Sequence, residues 1–403
     1  MRAYERLLKY VKYDTQSDPT NPTQPRALKE FDLLRELKKE LEGFGLEPVL
    51  TDTGYVYAKI PGNVPAKTVG FVAHVDTAQE CSGANVNPRI VEKWDGKDIV
   101  LDDTHTTSLE NFPEMGRYVG KSLMVTDGST LLGADDKAGV AEIMTAVKYL
   151  VDHPEIPHGD VFIAFTPDEE IGRGTENFEV SKFPCDYAYT MDGDAIGGID
   201  YECFNAASLT VKITGRSIHP GSAKNKMVNA LNVAHEYHSC LPPEMRPEYT
   251  DGRDGFFHLE KITGDIEYAE LEYIIRNHDA ELFERMKMIA REAAEMENVK
   301  YGQEFVKVEI TDSYRNMCEC FADKMYIVEI AQNAWRECGV EPVSTPIRGG
   351  TDGANLTFMG VPCPNLGTGG GNFHGRYEYC CIEDMDTAVQ VILKIIAKTA
   401  ERA

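Results

Sequence analysis

Short apolar runs alternate with amphipathic helical patterns along the first part of the chain, residues 1–205. Residues 68–75 and 160–166 are almost continuously apolar, and residues 186–191 form a third such run. Between the first two, residues 137–153 carry apolar side chains at helical spacing. Buried strands that alternate with helices in this way predict a mainly parallel sheet covered by helices on both faces.

The pattern changes between residues 206 and 312. Strand-like alternation and helical periodicity follow one another there in the order β-α-β-β-α-β. This order is typical of a ferredoxin-like α+β domain, in which two helices cover one face of an antiparallel sheet. The predicted elements are strand 208–214, helix 227–241, strands 256–262 and 269–275, helix 280–297 and strand 305–310.

The α/β pattern returns after residue 313, with a helix predicted over residues 324–338 and a closing helix from Glu383. An insertion explains this organisation most simply. We therefore expect one discontinuous α/β domain, residues 1–205 and 313–403, built on a mainly parallel sheet. The ferredoxin-like α+β domain, residues 206–312, would be inserted into it.

Composition and charge exclude several classes of partner. The 403 residues include 41 Lys and Arg against 66 Asp and Glu, a formal net charge of −25. A nucleic acid or an anionic membrane surface would be repelled by this charge, so neither is an expected partner. No apolar run approaches the roughly 18 residues of a membrane span, and residues 1–13 lack the core of a signal peptide. The ten cysteines contain no Cys-x-x-Cys spacing, so we expect reduced thiols and a cytoplasmic location.

Histidines and carboxylates follow the ends of the predicted strands. His74 and Asp76 stand where the first buried strand ends, and Glu169 and Glu170 follow the second. Taken singly, each has an ordinary explanation, such as a surface histidine, a helix cap or a solvated acidic turn. The other members are Asp135 before a predicted helix, Asp192 after the third strand and His374 in a glycine-rich loop. Because parallel strands bring their carboxyl ends to one edge, we expect the set to converge there.

The donor types indicate a metal site. Imidazole and carboxylate ligands without cysteine suit Zn²⁺, with Mn²⁺ or Co²⁺ as alternatives. Two histidines and three carboxylates exceed what one tetrahedral ion with an open position needs, whereas two ions bridged by a carboxylate use them all. Neighbouring side chains diverge at the end of a strand, so Glu170 could bind a metal while Glu169 takes a proton from water.

Longer motifs resemble those of the zinc-dependent M20 metallopeptidases, and within that family the tripeptide aminopeptidases most closely. The resemblance runs from the first helix to the last. The matching segments are H-V-D-T at His74, T-L-L-G-A-D-D-K-A-G from Thr130, A-F-T-P-D-E-E from Ala164, F-N-A-A-S from Phe204, H-P-G at His219, P-I-R-G-G-T-D-G-A from Pro346 and C-P-N-L from Cys363. The resemblance implies an enzyme that releases the N-terminal residue from tripeptides through a water activated by two zinc ions.

The resemblance also implies a role for each residue that matches a family motif. His74 and Asp192 would hold one zinc ion, Glu170 and His374 would hold the other, and Asp135 would bridge them. A cis peptide bond after the bridging acid also belongs to the family. The implied catalytic residues are Glu169, as the general base, and Asp76, which would orient His74. The implied substrate-binding residues are His219, Arg276 and Arg348.

Other activities of the same family share the implied metal ligands. A dipeptidase, a carboxypeptidase or an N-acyl-amino-acid deacylase would differ in which part of the substrate the site recognises. A non-catalytic metal-binding protein of this fold would lack Glu169 or a ligand, and none is lost here. The family uses the inserted domain as a lid and for dimer contacts. We therefore expect a short peptide as substrate and a possible homodimer.

Overall fold

The computed structural model describes residues 1–402, which form two compact units. The first unit comprises Met1–Tyr201, Cys320–Thr345 and the C-terminal segment from Thr351. The second unit comprises Glu202–Glu319 together with Pro346–Gly350. The predicted insertion, residues 206–312, falls inside the second unit. Within residues 1–402, no helix is long and apolar enough to span a bilayer.

The helices and strands are numbered in chain order. The helices are α1 (Ala3–Tyr10), α2 (Glu30–Gly43), α3 (Ala134–Asp152), α4 (Ala230–Cys240), α5 (Ala280–Tyr301), α6 (Met325–Glu337), α7 (Asp352–Phe358) and α8 (Ile382–Glu401). The strands are β1 (Val49–Leu50), β2 (Val56–Ile60), β3 (Val69–His74), β4 (Arg89–Val91), β5 (Ile99–Val100), β6 (Thr106–Thr107), β7 (Leu123–Val125), β8 (Val161–Thr166), β9 (Tyr187–Gly193), β10 (Ile199–Asp200), β11 (Asn205–Thr214), β12 (Phe256–Gly264), β13 (Tyr268–Asn277), β14 (Val306–Tyr314), β15 (Asn365–Gly367), β16 (Gly370–Gly371) and β17 (Tyr379–Cys381).

The first unit is built around a seven-stranded sheet with the order β1-β2-β8-β3-β9-β15-β10. The four central strands, β8, β3, β9 and β15, run parallel, and the pairs toward both edges are antiparallel. Every residue of β3 and β8 is buried, which is why both strands appear in the sequence as continuous apolar runs. The mainly parallel α/β fold that the sequence predicted is therefore confirmed.

The parallel direction of β3, β8 and β9 brings their carboxyl ends to one edge of the sheet. His74 is the last residue of β3, Glu169 follows shortly after β8, and Asp192 is the last but one residue of β9. Helix α3 packs against β3 and β9 and carries Asp135 in its first turn. The topology thus places four segments with polar side chains at one edge.

Helix α3 approaches the sheet closely at Gly139. A Cβ atom at this position would lie 2.0 Å from the carbonyl oxygen of Met191 on β9. Any side chain would therefore push the helix away from the strand. The second glycine of the G-A-D-D-K-A-G motif is needed for this contact, and the contact fixes the start of α3 relative to β9.

A second sheet of the first unit, with the order β16-β17-β7-β4, supports His374. Strands β16 and β17 are antiparallel, with Gly370 opposite Cys380, and His374 lies in the loop that joins them. The pairing register thus fixes both ends of this loop. The sequence did not predict this sheet, because its strands are only two or three residues long and show no readable alternation.

The second unit contains a four-stranded antiparallel sheet with the order β12-β13-β11-β14. Its elements follow the chain order β11-α4-β12-β13-α5-β14, which is the predicted ferredoxin-like order. Alternate residues of β13 are buried, and they form one core with residues of α4 and α5 such as Val233 and Phe283. The buried face of the strand and the apolar faces of the two helices therefore pack together in a single core.

Glu142 on α3 is fully buried, and neither of its carboxylate oxygens has a hydrogen-bond partner. Burial raises the pKa of Glu142 well above its usual range, and the carboxylates of Asp384 and Asp386 raise it further. The folded protein therefore favours the neutral acid. Since the folded pKa is the higher one, the free energy of unfolding falls as the pH rises above about 4.3, the pKa of an unfolded glutamate.

We expect Glu142→Gln to be more stable than the wild type above neutral pH, because the amide stays neutral without binding a proton. At high pH, each unit by which folding raises the pKa of Glu142 corresponds to about 1.4 kcal/mol. The advantage should shrink as the pH falls toward about 5, where the wild-type carboxyl group is protonated at little cost. Thermal unfolding at acidic and alkaline pH measures this difference. An advantage that did not change with pH would show that Glu142 is not held as the neutral acid.

Candidate active site

Five side chains of the first unit converge into two groups of potential metal ligands. His74, Asp135 and Asp192 form one group. Asp135, Glu170 and His374 form the other. Within each group the ligand atoms all lie within 4.8 Å of one another, and Asp135 belongs to both. The structure therefore brings together the five residues that the sequence singled out as metal ligands.

Asp135 lies between the two histidines with one carboxylate oxygen toward each. Its Oδ1 is 3.0 Å from His74 Nε2, and its Oδ2 is 3.2 Å from His374 Nε2. His74 Nε2 also lies 3.3 Å from Asp192 Oδ1, and His374 Nε2 lies 3.0 Å from Glu170 Oε2. Each group thus has one imidazole nitrogen that faces two carboxylates, one of which is shared.

The carboxylates shift the pKa values of both histidines. Burial alone would lower the pKa of His74, but the carboxylates of Asp192 and Asp135 raise it well above its ordinary value. Hydrogen bonds to Asp135 and Glu170 raise the pKa of His374 to about 11, against the opposing effect of burial. Both imidazoles therefore lie in a strongly negative environment that favours positive charge.

The pKa values of the three carboxyl groups are also shifted, two of them upward and one downward. Burial raises the pKa of Glu170 to about 7, and the Asp135 carboxylate adds to this effect. Burial likewise raises the pKa of Asp192 to about 6. For Asp135, hydrogen bonds to His374 and His74 outweigh burial and hold the pKa below its usual range. A cluster with more carboxylates than cationic side chains is stabilised by added positive charge.

The donor set fits a pair of divalent cations. Glu170 Oε1 is buried without a hydrogen-bond partner, so the side chains around it leave one acceptor unused. Imidazole and carboxylate donors are those that Zn²⁺ takes in catalytic sites, where one position stays open. Three donors are available to each of two ions, with Asp135 shared, which is the arrangement of bridged two-metal sites.

Glu169 stands beside these groups without belonging to either. It opens a short 3₁₀ turn, Glu169–Ile171, after β8. Burial raises the pKa of Glu169 well above its usual range, and the Asp192 carboxylate raises it further. A carboxyl group with a raised pKa next to a metal site is suited to take up and release a proton during a reaction.

Asp76 holds both glutamates and His74 in place. Its Oδ1 accepts the backbone N–H of Glu169 at 2.9 Å, and its Oδ2 accepts that of Glu170 at 3.1 Å. The Nδ1 of His74 lies 3.1 Å from the carbonyl oxygen of Asp76 and 3.3 Å from its carboxylate. The spacing in the sequence indicated the contact with His74. It gave no sign of the two bonds to backbone N–H groups, because every residue but proline offers such a donor.

Comparison with known proteins decides the family. Residues 126–398 match the peptidase family M20/M25/M40. The chain belongs to this family. It is 51% identical over 404 residues to Peptidase T of Clostridium perfringens (strain 13 / Type A), with 100% of both chains covered. Peptidase T of Desulfitobacterium hafniense (strain Y51) is 51% identical over 403 residues, with 98% of each chain covered. The family resemblance predicted from the sequence is confirmed, and the chain is a peptidase.

Solved structures share the fold of this peptidase. The aminopeptidase PepT from Bacillus cereus ATCC 10987 aligns with a TM-score of 0.80 at 22% identity, over 99% of this chain and 98% of that one. A tripeptidase from Staphylococcus aureus subsp. aureus Mu50 aligns with a TM-score of 0.79 at 21% identity, over the same shares. A dinuclear metal-binding peptidase of the M20 family from Bacillus subtilis aligns with a TM-score of 0.67 at 15% identity, over 100% and 98%.

Two further buried carboxylates support the peptidase site and were missed in the sequence. Asp136 follows Asp135 through the cis peptide bond that the family resemblance implied, and its Oδ2 accepts the backbone N–H of His74 at 3.2 Å. Asp352 accepts the hydroxyl group of Thr166 at 2.8 Å, and burial raises the pKa of Asp352 to about 7. Their motifs, D-D-K and T-D-G, were visible, but residue type alone does not distinguish a supporting acid from a ligand.

The three predicted substrate-binding residues belong to the second unit. Among them, His219 is exposed, and its Nδ1 accepts the backbone N–H of Gly221 at 3.1 Å. The neutral imidazole therefore carries its proton on Nε2. His219 thus presents a hydrogen-bond donor on the nitrogen that points away from its own backbone.

The two arginines of this set are joined through the backbone. Arg276 Nη1 donates to the carbonyl oxygen of Arg348 at 3.1 Å, and the Nε of Arg276 is buried without a partner. The Arg348 guanidinium lies over the Phe204 ring at 5.2 Å. Its Nη1 donates to the carbonyl oxygen of Gly252 at 2.9 Å, and its Nη2 donates to the hydroxyl group of Thr250 at 3.0 Å. Both terminal nitrogens of Arg348 are therefore engaged within the protein, whereas the buried Nε of Arg276 has no hydrogen-bond partner.

Proposed function

We propose that this peptidase is a zinc-dependent aminopeptidase that releases the N-terminal residue from tripeptides. The observation that carries the proposal is the pair of ligand groups that share Asp135, with Glu169 beside them. Full-length similarity to proteins named Peptidase T, at 51% identity, supports the substrate class. The composition of the site supports hydrolysis, because metal ligands and a separate carboxyl group with a raised pKa occur together.

Two zinc ions would be held by the two ligand groups. His74 and Asp192 would bind one ion, Glu170 and His374 would bind the other, and Asp135 would bridge them. When bound there, the ions polarise the scissile carbonyl group and lower the pKa of a water molecule. One imidazole in each group and the absence of cysteine favour Zn²⁺, and Mn²⁺ or Co²⁺ can use the same donors.

Glu169 would carry the proton through the reaction. Its carboxylate takes a proton from the attacking water as the new C–O bond forms at the scissile carbonyl carbon. The resulting carboxyl group then gives that proton to the departing amine as the C–N bond breaks. Glu169 returns to its starting state, so the step is balanced without a further acid.

The second unit would supply the groups that recognise the peptide. We assign the carboxylate of the substrate to Arg276, whose Nε has no partner, because guanidinium groups bind carboxylates in a fork geometry. Arg348 would contribute through its carbonyl oxygen, which accepts a hydrogen bond from Arg276. His219 would donate from Nε2 to the oxyanion that develops at the scissile carbonyl group.

His219→Ala is expected to lower kcat by about 10²–10³-fold, the usual effect of losing one donor to an oxyanion. Both metal ions should stay bound, because His219 belongs to neither ligand group. Steady-state kinetics and metal analysis on the same preparation measure the two effects. His258→Ala, which removes an exposed histidine from β12 of the same unit, is the control. Wild-type kcat in His219→Ala would exclude this role.

A matched panel of peptides tests the proposed activity. The purified protein with Zn²⁺ is assayed on di-, tri- and tetrapeptides of related sequence, each with a free and an acetylated N-terminus. We expect the fastest cleavage for the free tripeptide, with release of its first residue. Preference for the dipeptide, release of the last residue, or removal of the acetyl group would instead indicate a dipeptidase, a carboxypeptidase or a deacylase.

We also propose a cytoplasmic location and a homodimer formed through the second unit. None of the ten cysteines, all of which lie within the described residues 1–402, forms a disulfide bond, as is usual in a reducing compartment. Helix α5 exposes apolar side chains, including Met288, Met296 and Val299, and β14 is an edge strand of its sheet. A second copy would cover both features. Light scattering should give twice the mass of one chain, and the mass of a single chain would contradict the dimer.

A further inference from the structure

Glu378 lies in the same loop as His374 but belongs to neither ligand group. The residue is 1% exposed. Its Oε2 accepts the backbone N–H groups of Leu132 and Gly133 at 2.7 and 2.8 Å, and its Oε1 accepts that of Asp135 at 3.0 Å. One buried carboxylate therefore binds three backbone donors of the short segment that carries Asp135.

This segment has little support of its own. Helix α3 begins here, and the first N–H groups of a helix find no acceptor within the helix. No side chain at Gly133, which precedes α3, caps them, and Gly133 itself adopts a left-handed φ of +79°. Glu378 supplies an acceptor for one of these groups, the N–H of Asp135, from 243 residues further along the chain. It also accepts the two N–H groups that precede the helix. A carboxylate at this position is also favoured by the helix dipole.

A buried lysine accompanies this carboxylate. Lys137 is 1% exposed, and its Nζ donates to the carbonyl oxygen of Tyr13 at 2.9 Å. Burial lowers the pKa of Lys137 to about 8, against the opposing effect of the Glu378 carboxylate. Burial raises the pKa of Glu378 to about 7, whereas the three hydrogen bonds from backbone N–H groups oppose this shift.

We propose that Glu378 is a positioning residue that fixes the bridging carboxylate of Asp135 between the two metal ions. The loop between β16 and β17 then has two functions, because it carries His374 as a metal ligand and Glu378 as the residue that positions Asp135. This inference rests on the proposed role of Asp135 in the metal site. The competing explanation is that Glu378 only stabilises the start of α3.

Glu378→Gln separates these explanations. A glutamine amide has one acceptor oxygen, and its NH₂ group can only donate. The orientation that keeps two of the three bonds turns the oxygen toward Leu132 and Gly133, and it leaves the N–H of Asp135 facing the NH₂ group. We expect Asp135 to lose its position. Binding of the second metal equivalent should then weaken by about 10–100-fold, the usual cost of losing an outer partner of a metal ligand.

Two measurements report on the metal site independently of activity. Calorimetric titration of the metal-free protein with Zn²⁺ gives the number of ions and their affinities. Electron paramagnetic resonance of protein loaded with Mn²⁺ should show an exchange-coupled pair in the wild type and isolated ions in Glu378→Gln. A residue that only stabilised α3 would lower the melting temperature of the metal-free variant and leave both measurements unchanged. That outcome would overturn the proposal.

Glu142→Gln is the matched control, because it alters another buried glutamate, on α3 itself, that makes no hydrogen bond to the Asp135 segment. It should bind two ions as the wild type does. Glu378→Asp keeps the charge near Lys137 but withdraws the carboxylate from the three N–H groups, so its metal binding should stay weakened. Full recovery in Glu378→Asp would assign Glu378 to charge balance and contradict the proposal.

Glu378→Asp also serves as the test variant if Glu378→Gln does not fold. The wild-type titration separates the two levels of inference. Wild-type protein that binds fewer than two ions would refute the proposed two-metal site itself. Wild-type protein with two coupled ions, together with an identical Glu378→Gln variant, would refute only the positioning role.

Discussion

Glu169→Gln is expected to lower kcat by about 10²–10⁴-fold, the usual contribution of a general acid–base residue, while the protein keeps both metal ions. The glutamine amide has the shape of the carboxyl group but does not accept the proton of the attacking water. Glu169 lies in neither ligand group, so metal binding should be unaffected. Steady-state kinetics on a tripeptide, with metal content measured on the same sample, separate proton transfer from ligation.

Glu176→Gln is the control for this variant, because Glu176 is an exposed glutamate further along the same connection after β8. It should retain wild-type turnover. Near-native turnover in Glu169→Gln would show that Glu169 is not the base. Loss of metal from Glu169→Gln would instead show that this residue is a ligand, contrary to its position outside both groups.

Asp135→Ala is expected to reduce the metal content below two ions per chain, with activity falling in parallel. Asp135 is the only residue common to both ligand groups, and each of its carboxylate oxygens faces one histidine. Removing it takes a donor from both ions at once. The loss of affinity should therefore exceed the factor of about 10–100 that is typical of an outer partner. Elemental analysis and calorimetric titration with Zn²⁺ measure it.

The control for Asp135→Ala is Asp152→Ala, which removes an exposed aspartate from the opposite end of α3. This variant should bind two ions and keep its activity. Two tightly held ions in Asp135→Ala would remove Asp135 from the bridging role. The remaining four donors would then have to be assigned to the ions in a different way.

The sequence predicted the parts of the fold in which side-chain burial follows a simple rule. Strands β3 and β8 are buried along their whole length, so they appear as unbroken apolar runs. The second unit was predictable because β13 alternates regularly between buried and less buried residues. Strand β16 has only two residues, both glycines, and no side chain that could show a pattern. Its sheet, which supports His374, was therefore missed.

The metal-ligand candidates were predictable because they follow strand ends and occur in long motifs. The supporting carboxylates were not, since their partners are backbone N–H groups or a hydroxyl group. Glu378 binds the N–H of a residue 243 positions away, and Asp136 binds the N–H of His74. Because every residue except proline has a backbone N–H group, the residue type gives no sign of which one will bind a carboxylate. The engagement of Arg348 by the carbonyl oxygen of Gly252 was hidden for the same reason, and only the structure shows that Arg276 has the unpartnered donor.

Stepwise return of Zn²⁺ to metal-free protein tests the two-ion aminopeptidase site most directly, with the products of one free tripeptide identified by mass spectrometry at each step. We expect no hydrolysis without metal and a rate that rises until two ions per chain are bound. The products should be the N-terminal amino acid and the remaining dipeptide. Full activity of the metal-free protein, saturation at one ion, or release of the C-terminal residue would contradict this mechanism.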